Sequence, residues 1–338
     1  MHAGNGSNGG NGSHPARRVL VTGAAGFIGG HVTEALLMRG DEVVGLDNFD
    51  TFYDVAVKRA TAARLDDGRR CRIVDGDIRD AALLDTLIGG QGVTHIVHLA
   101  ARAGVRPSLR DPFLYQDVNI RGTLQILEAA RRHQVNHVVA ASSSSVYGAQ
   151  SKLPFSESDH ADHPSSPYAA TKRSNELDAH VYHHIYGMDV TMLRFFTVYG
   201  PRQRPEMAIH RFTSLIDRGS AIEMYGDGTA RRDYTYIVDI VDGVLRALDR
   251  PNGYRVYNLG ATGTTPLLRL AEMLADLLEQ PLRVRHLPDQ PGDVPVTCAD
   301  VSLAERELGY TPTTPIEVGL ERFVSWFRRE RYRMLASA

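Results

Sequence analysis

The stretch SSPYAATKR (165–173) sets Tyr168 four residues ahead of Lys172. Of 38 basic residues only three are lysine: Lys58, Lys152 and Lys172. A lysine ammonium is compact and shifts its pKa readily, whereas an arginine stays charged. On a helix, positions four apart share a face. A free tyrosine ionises near about 10, and a neighbouring ammonium stabilises the phenolate. A tyrosine so placed can serve as a general base. Upstream, the serines Ser142 to Ser145 close an apolar run. A hydroxyl there can share a substrate proton; the plainer reading of the run is a polar loop.

The N-terminal motif VTGAAGFIGG reads independently as a place for a dinucleotide. Gly23, Gly26 and Gly29 follow an apolar run and open a helix, with Phe27 and Ile28 in its first turn. Glycines let the backbone approach a pyrophosphate, and the helix start offers free N–H groups to that anion. Taken alone, the glycines could simply make a tight turn. The next apolar run ends at Asp47, where a carboxylate can bind the adenosine ribose hydroxyls. Asn48, Phe49 and Asp50 follow, with no arginine for a 2′-phosphate, which favours NAD over NADP. Asp77 and Ile78, after a third run, are candidates for the adenine edge; Asp77 could equally cap the following helix. Leu99 to Ala101 follow a fourth run, where small residues allow the cofactor close to the backbone.

The elements that position these residues read as an α/β protein. RRVLVTG, DEVVGLD, CRIVDGD, THIVHLAA, NHVVAASSSSVYG and DVTMLRFF are strand-like, and helical patterns lie between them. In the first helix Ile28, Val32, Ala35, Leu36 and Met38 recur at helical spacing. This alternation predicts a Rossmann-type, doubly wound parallel sheet over 17–200. Beyond 200, proline, glycine and shorter elements predict a smaller C-terminal α/β lobe, 201–338, that binds mainly the substrate. The boundary is soft, and the chain can cross between lobes. Residues 1–16, rich in Gly, Asn and Ser, read as a disordered tail rather than a signal peptide.

The chain has 338 residues and a net charge of −2. That balance gives no reason to expect nucleic acid or an anionic membrane as partner. No run of 18 apolar residues occurs, so no membrane span is expected. Cys71 and Cys298 match no metal spacing and read as reduced thiols of a cytoplasmic protein. His180 and His184 are four apart on a helix, without the glutamate of a zinc-protease motif. No metal site is expected.

The glycine motif, LAA, SSSSVYG, SPYAATK, LRFFTVYGPRQRPEMA, GDGTARRDYTYIVDIVDG and QPGDVPVTCAD resemble, in order, the extended short-chain dehydrogenase/reductase family. Within it the chain resembles the nucleotide-sugar 4-epimerases. The resemblance implies Tyr168 as base, Lys172 as its modulator and cofactor anchor, and Ser143 as assisting hydroxyl. It implies tightly held NAD that is regenerated at each turnover. In the resemblance, dehydratases carry an acidic pair at Ser144 and Ser145, and UDP-glucuronate decarboxylases a glutamate at Ser145. UDP-galactose 4-epimerases carry asparagine at Thr197. The serines here, with RFFTVYGPRQRP and ARAGVRPS, look most like UDP-glucuronate 4-epimerases. Ser143, Ser144, Ser145 and Thr197 would then meet a C6 carboxylate, and Arg204 would hold the acid or its loop. Arg232 would pair with the diphosphate and Asp293 with the nucleotide ribose. Gln290 stands where galactose-type enzymes have arginine. Arg106 is a weaker sugar candidate that also reads as a solvated loop residue. The resemblance further implies a homodimer packed through the helix carrying Tyr168. Open alternatives are a UDP-glucose/UDP-galactose 4-epimerase, a UDP-glucuronate decarboxylase, a net nucleotide-sugar reductase and a non-catalytic dinucleotide-binding sensor.

Overall fold

Runs of β-branched and apolar residues between glycine turns build one parallel sheet. The computed structural model describes residues 17–150, 152–288 and 294–336, with side chains described up to 330. Six strands come first: β1 (Arg18–Thr22), β2 (Glu42–Asp47), β3 (Cys71–Asp75), β4 (His95–His98), β5 (His137–Ser143) and β6 (Asp189–Phe195). The strand Tyr254–Leu259 completes the seven, outside β6. The order is Tyr254–Leu259, β6, β5, β4, β1, β2, β3, with every pairing parallel. The winding reverses at β1. The chain runs outward to β3, then crosses back to β4 on the other side of β1. In open α/β sheets, ligands bind at the carboxyl ends of the strands beside such a reversal.

Both faces of the sheet are covered. Val19 and Val21 belong to one core and Leu20 to the other, which is why these strands read as continuous apolar runs. The first core does not stop at the sheet. It continues into Ile222, Leu270 and Phe323 of the C-terminal segment. That segment forms three two-stranded pieces: Thr197–Tyr199 with Tyr234–Tyr236, Arg231–Arg232 with Thr265–Pro266, and Ile222–Tyr225 with Val284–Leu287. The seventh strand of the main sheet thus comes from beyond residue 200, so a division there does not follow the edge of the sheet. The tail 1–16, Gln290 and Asp293 lie outside the described residues.

Two helices carry most of the site. The first (Phe27–Arg39) ends at Gly40, whose φ of 104° suits glycine. Met38, counted among its apolar positions, faces solvent. The second, the long helix (Pro167–Tyr186), begins with Ser166 as N-cap, its Oγ accepting the Ala169 N–H at 3.2 Å. Pro167 occupies the first turn, and Gly187 closes the helix in the left-handed conformation.

Candidate active site

A cavity of about 480 Å³ runs along the carboxyl ends of the strands. It is lined by Gly23, Gly26, Phe27, Ile28 and Gly29 at one end and by Ser143, Ser144, Ser145, Thr197 and Arg204 at the other. Tyr168 and Lys172 also line it.

At the glycine end, the backbone leaves no room for side chains. A Cβ on Gly29 would sit 2.0 Å from the Gly23 carbonyl oxygen, and one on Gly23, at φ +72°, would meet the Ala100 nitrogen at 2.9 Å. The first helix starts at Phe27, and no side chain caps its free N–H groups. This is a cradle for a phosphate group. Asp47 pins the loop: its carboxylate accepts the Ala25 N–H at 3.1 Å and the Phe49 N–H at 2.9 Å. Burial pushes its pKa up, against those two hydrogen bonds and the Lys58 charge. Each oxygen retains a second lone pair for a ribose hydroxyl. Asn48, Ile78, Leu99 and Ala101 line the cavity, but Asp77 does not. Its carboxylate accepts from Arg79 and from Asn48 Nδ2, and these bonds hold its pKa down at about 2. Below Leu99 and Ala100, whose N–H groups donate to Thr22 Oγ1, lies His98, buried between Thr22 and Thr123. Burial drops its pKa to about 3, so the ring is neutral.

At the catalytic centre, the long helix presents Tyr168 and Lys172 from one face, as their spacing predicts. Lys172 is 3% exposed, and its Nζ donates to the Ala141 carbonyl of β5 at 2.8 Å. Burial lowers its pKa to about 8, and Glu176 one turn on acts to raise it. The Tyr168 phenol is hydrogen-bonded to Ser143. Ser145 donates to Ser143 Oγ through its hydroxyl at 2.9 Å and its N–H at 3.2 Å. Burial pushes the Tyr168 phenol up, and the groups opposing it are Ser143 and the Arg204 charge.

Glu176 was not singled out in the sequence. It is fully buried, takes a two-pronged pair from Arg194 at 2.8 Å on both contacts, and accepts the Ser142 hydroxyl at 2.6 Å. It stands four residues after Lys172, and that spacing was the available signal. Phe52, Tyr53, Lys58 and Arg102 also line the cavity without having been anticipated. Two anticipated arginines do not line it. Arg106 lies with its guanidinium 4.3 Å from the Tyr225 ring centroid. Arg232 Nη1 donates to the Arg231 and Pro295 carbonyls, beside the segment that leads to Asp293. Cys71 and Cys298 are free thiols. Among the described residues no three His, Cys, Asp or Glu side chains gather as a metal site, and no helix is long and apolar enough to cross a membrane.

Residues 19–260 match the NAD dependent epimerase/dehydratase family. The chain belongs to that family. Its cofactor is NAD, and the uncapped helix start, the glycine cradle and Asp47 fit that group. The chain is 48% identical to UDP-glucuronate 4-epimerase 4 of Arabidopsis thaliana over 333 residues, covering 91% of this chain and 75% of the relative. Among solved structures it resembles UDP-glucuronic acid 4-epimerase from Bacillus cereus, in complex with UDP-glucuronic acid and NAD. There the TM-score is 0.88 at 36% identity, covering 93% of this chain and 99% of the other. It also resembles a dTDP-glucose 4,6-dehydratase from Streptomyces venezuelae, with a TM-score of 0.88 at 35% identity, covering 94% and 98%. The fold is therefore common to epimerases and dehydratases, and the sugar end of the site must decide between them.

Proposed function

We propose that this family member interconverts UDP-glucuronate and UDP-galacturonate by inverting C4. The observation that carries the reading is the sugar end of the cavity, where Ser143, Ser144, Ser145 and Thr197 supply hydroxyls and Arg204 a charge. The acidic residues among those lining the cavity are Asp47 and Asp50, both from the end of β2 and the stretch after it. No carboxyl group stands at the serine positions to drive elimination or decarboxylation. The similarity to plant and bacterial UDP-glucuronate 4-epimerases supports the same sugar.

When bound, NAD supplies a reversible hydride acceptor. Tyr168 takes the C4 hydroxyl proton as the C4 hydride departs, and returns it once the hydride is delivered to the opposite face. Ser143 hydrogen-bonds the phenol and the sugar oxygen and holds the proton path. Lys172, anchored on Ala141, presents its ammonium to the nicotinamide ribose. A 4-keto uronic acid is a β-keto acid prone to lose CO₂. Short hydroxyl donors that hold the carboxylate in the ring plane, out of line with the carbonyl π system, suppress that loss. Arg232 and Asp293 fall to the diphosphate and nucleotide ribose in this reading, and Arg106 to the periphery of the sugar end.

Incubation with UDP-glucuronate, followed by proton NMR, should show UDP-galacturonate as the main product. A UDP-pentose as main product would refute the reading. We also propose a homodimer, in the cytoplasmic setting that two free thiols suit. Its support is a stripe on the long helix, where Leu177, Val181 and Ile185 are 54%, 45% and 60% exposed.

A further inference from the structure

The stretch after β2 links the cofactor end of the cavity to its sugar end. Asp47 pins the glycine loop, and five residues later Phe52 lines the same cavity as Arg204. The Phe52 ring carries two guanidinium groups. That of Arg102 lies 5.1 Å from the ring centroid and that of Arg204 5.6 Å. Arginines over an aromatic face within about 6 Å are held by the ring's quadrupole. The ring is itself fixed. The Phe52 N–H donates to Asp50 Oδ1 at 2.8 Å, and the Asp50 carboxylate pairs with Arg102. The Asp50 carbonyl accepts Lys58 Nζ at 2.8 Å. The Arg102 backbone is held at both polar atoms by Asn119, at 2.8 and 3.0 Å, and Asn119 Nδ2 also donates to Thr171 Oγ1 at 3.0 Å. Thr171 lies on the long helix between Tyr168 and Lys172. The ring beneath Arg204 is thus built on the same frame as the catalytic pair. Arg204 Nε also pairs with Glu206 at 3.1 Å.

If Phe52 only filled space, any apolar residue of its size would serve. A ring shared by two cations argues for orientation instead. We propose that Phe52 is a positioning residue for Arg204, and that through Arg204 it sets selectivity for a sugar bearing a carboxylate at C6. This rests on the proposed function, because it assigns Arg204 to the acidic end of that substrate.

The test compares the dissociation constants of UDP-glucuronate and UDP-glucose, by calorimetry, on NAD-loaded enzyme. Phe52→Leu should cut the preference for the acidic sugar about tenfold, equivalent to about 1.4 kcal/mol. Phe52→Tyr, which keeps the ring face, should restore the preference. In an Arg204→Gln background, Phe52→Leu should change the ratio no further. An unchanged ratio in Phe52→Leu, or an equal drop with and without Arg204, would overturn the proposal. Should the leucine variant fail to fold, Phe52→Met poses the same question. A wild-type enzyme with no preference for UDP-glucuronate would instead sink the functional reading itself.

Discussion

Lys172 shows how a single residue is set by its surroundings. Its side chain lines the cavity yet is buried, its ammonium is tied to one carbonyl, and desolvation brings its pKa from 10.5 to about 8. The sign of the consequence is fixed by linkage. Between pH 8 and 10.5 the unfolded chain holds a proton on this lysine that the folded chain has lost. Stability from this group therefore rises with pH across that window, and below it the folded protein bears the cost of a buried charge. Lys172→Met has no such titration. Its melting temperature, relative to wild type, should fall steadily from pH 8 to 10.5. A constant difference across that range would show that the amine is not perturbed. The Tyr168–Lys172 spacing was legible in the sequence because helical geometry makes it local. The Arg204 charge, which with Ser143 opposes phenol desolvation, was not: no spacing in the chain announces it.

At the scale of elements, the long helix, β5 and β6 are joined by one buried carboxylate. Glu176 takes Arg194 from β6 and Ser142 from β5, with Arg173 adding a contact at 3.0 Å. Removing one partner of a buried pair leaves an uncompensated charge, at a cost of about 3–5 kcal/mol. Glu176→Gln should lose about that much in chemical denaturation, and Glu176→Gln with Arg194→Met should recover part of it. A single variant as stable as wild type would mean that the helix is held against the sheet by packing alone. Six strands were readable as short apolar runs between helical patterns. The seventh was not: in Tyr254–Leu259 (YRVYNL) apolar residues are interrupted by Arg255 and Asn258. Their side chains bond Glu307, the Phe155 and Asp300 carbonyls, and the Tyr147 hydroxyl, so the polarity belongs to partners distant in sequence. The strip around Phe52 was missed for a related reason. Asp50 and Arg102 are 52 residues apart and meet only once the sheet has formed.

The whole molecule sets the glycine cradle, Tyr168 and Lys172, and the hydroxyls of Ser143 to Ser145 along one cavity. Its C-terminal segment shares a core with one face of the sheet, so the two ends of the cavity are built on one packed body. The proposed dimer belongs to this scale. Val181→Glu, in the middle of the exposed stripe, should lower the mass found by light scattering from twice 37.2 kDa toward that of one chain. A wild-type enzyme already at the single-chain mass would reject the dimer. The central claim, however, is that one hydrogen leaves C4 and returns to it without meeting water. The direct measurement is the turnover of UDP-glucuronate in D₂O, read by proton NMR at C4 of the product. The account predicts inverted sugar with protium retained at C4, and no turnover in Tyr168→Phe. Deuterium at C4 would contradict it, because the hydrogen would then have been exchanged with solvent rather than held and returned.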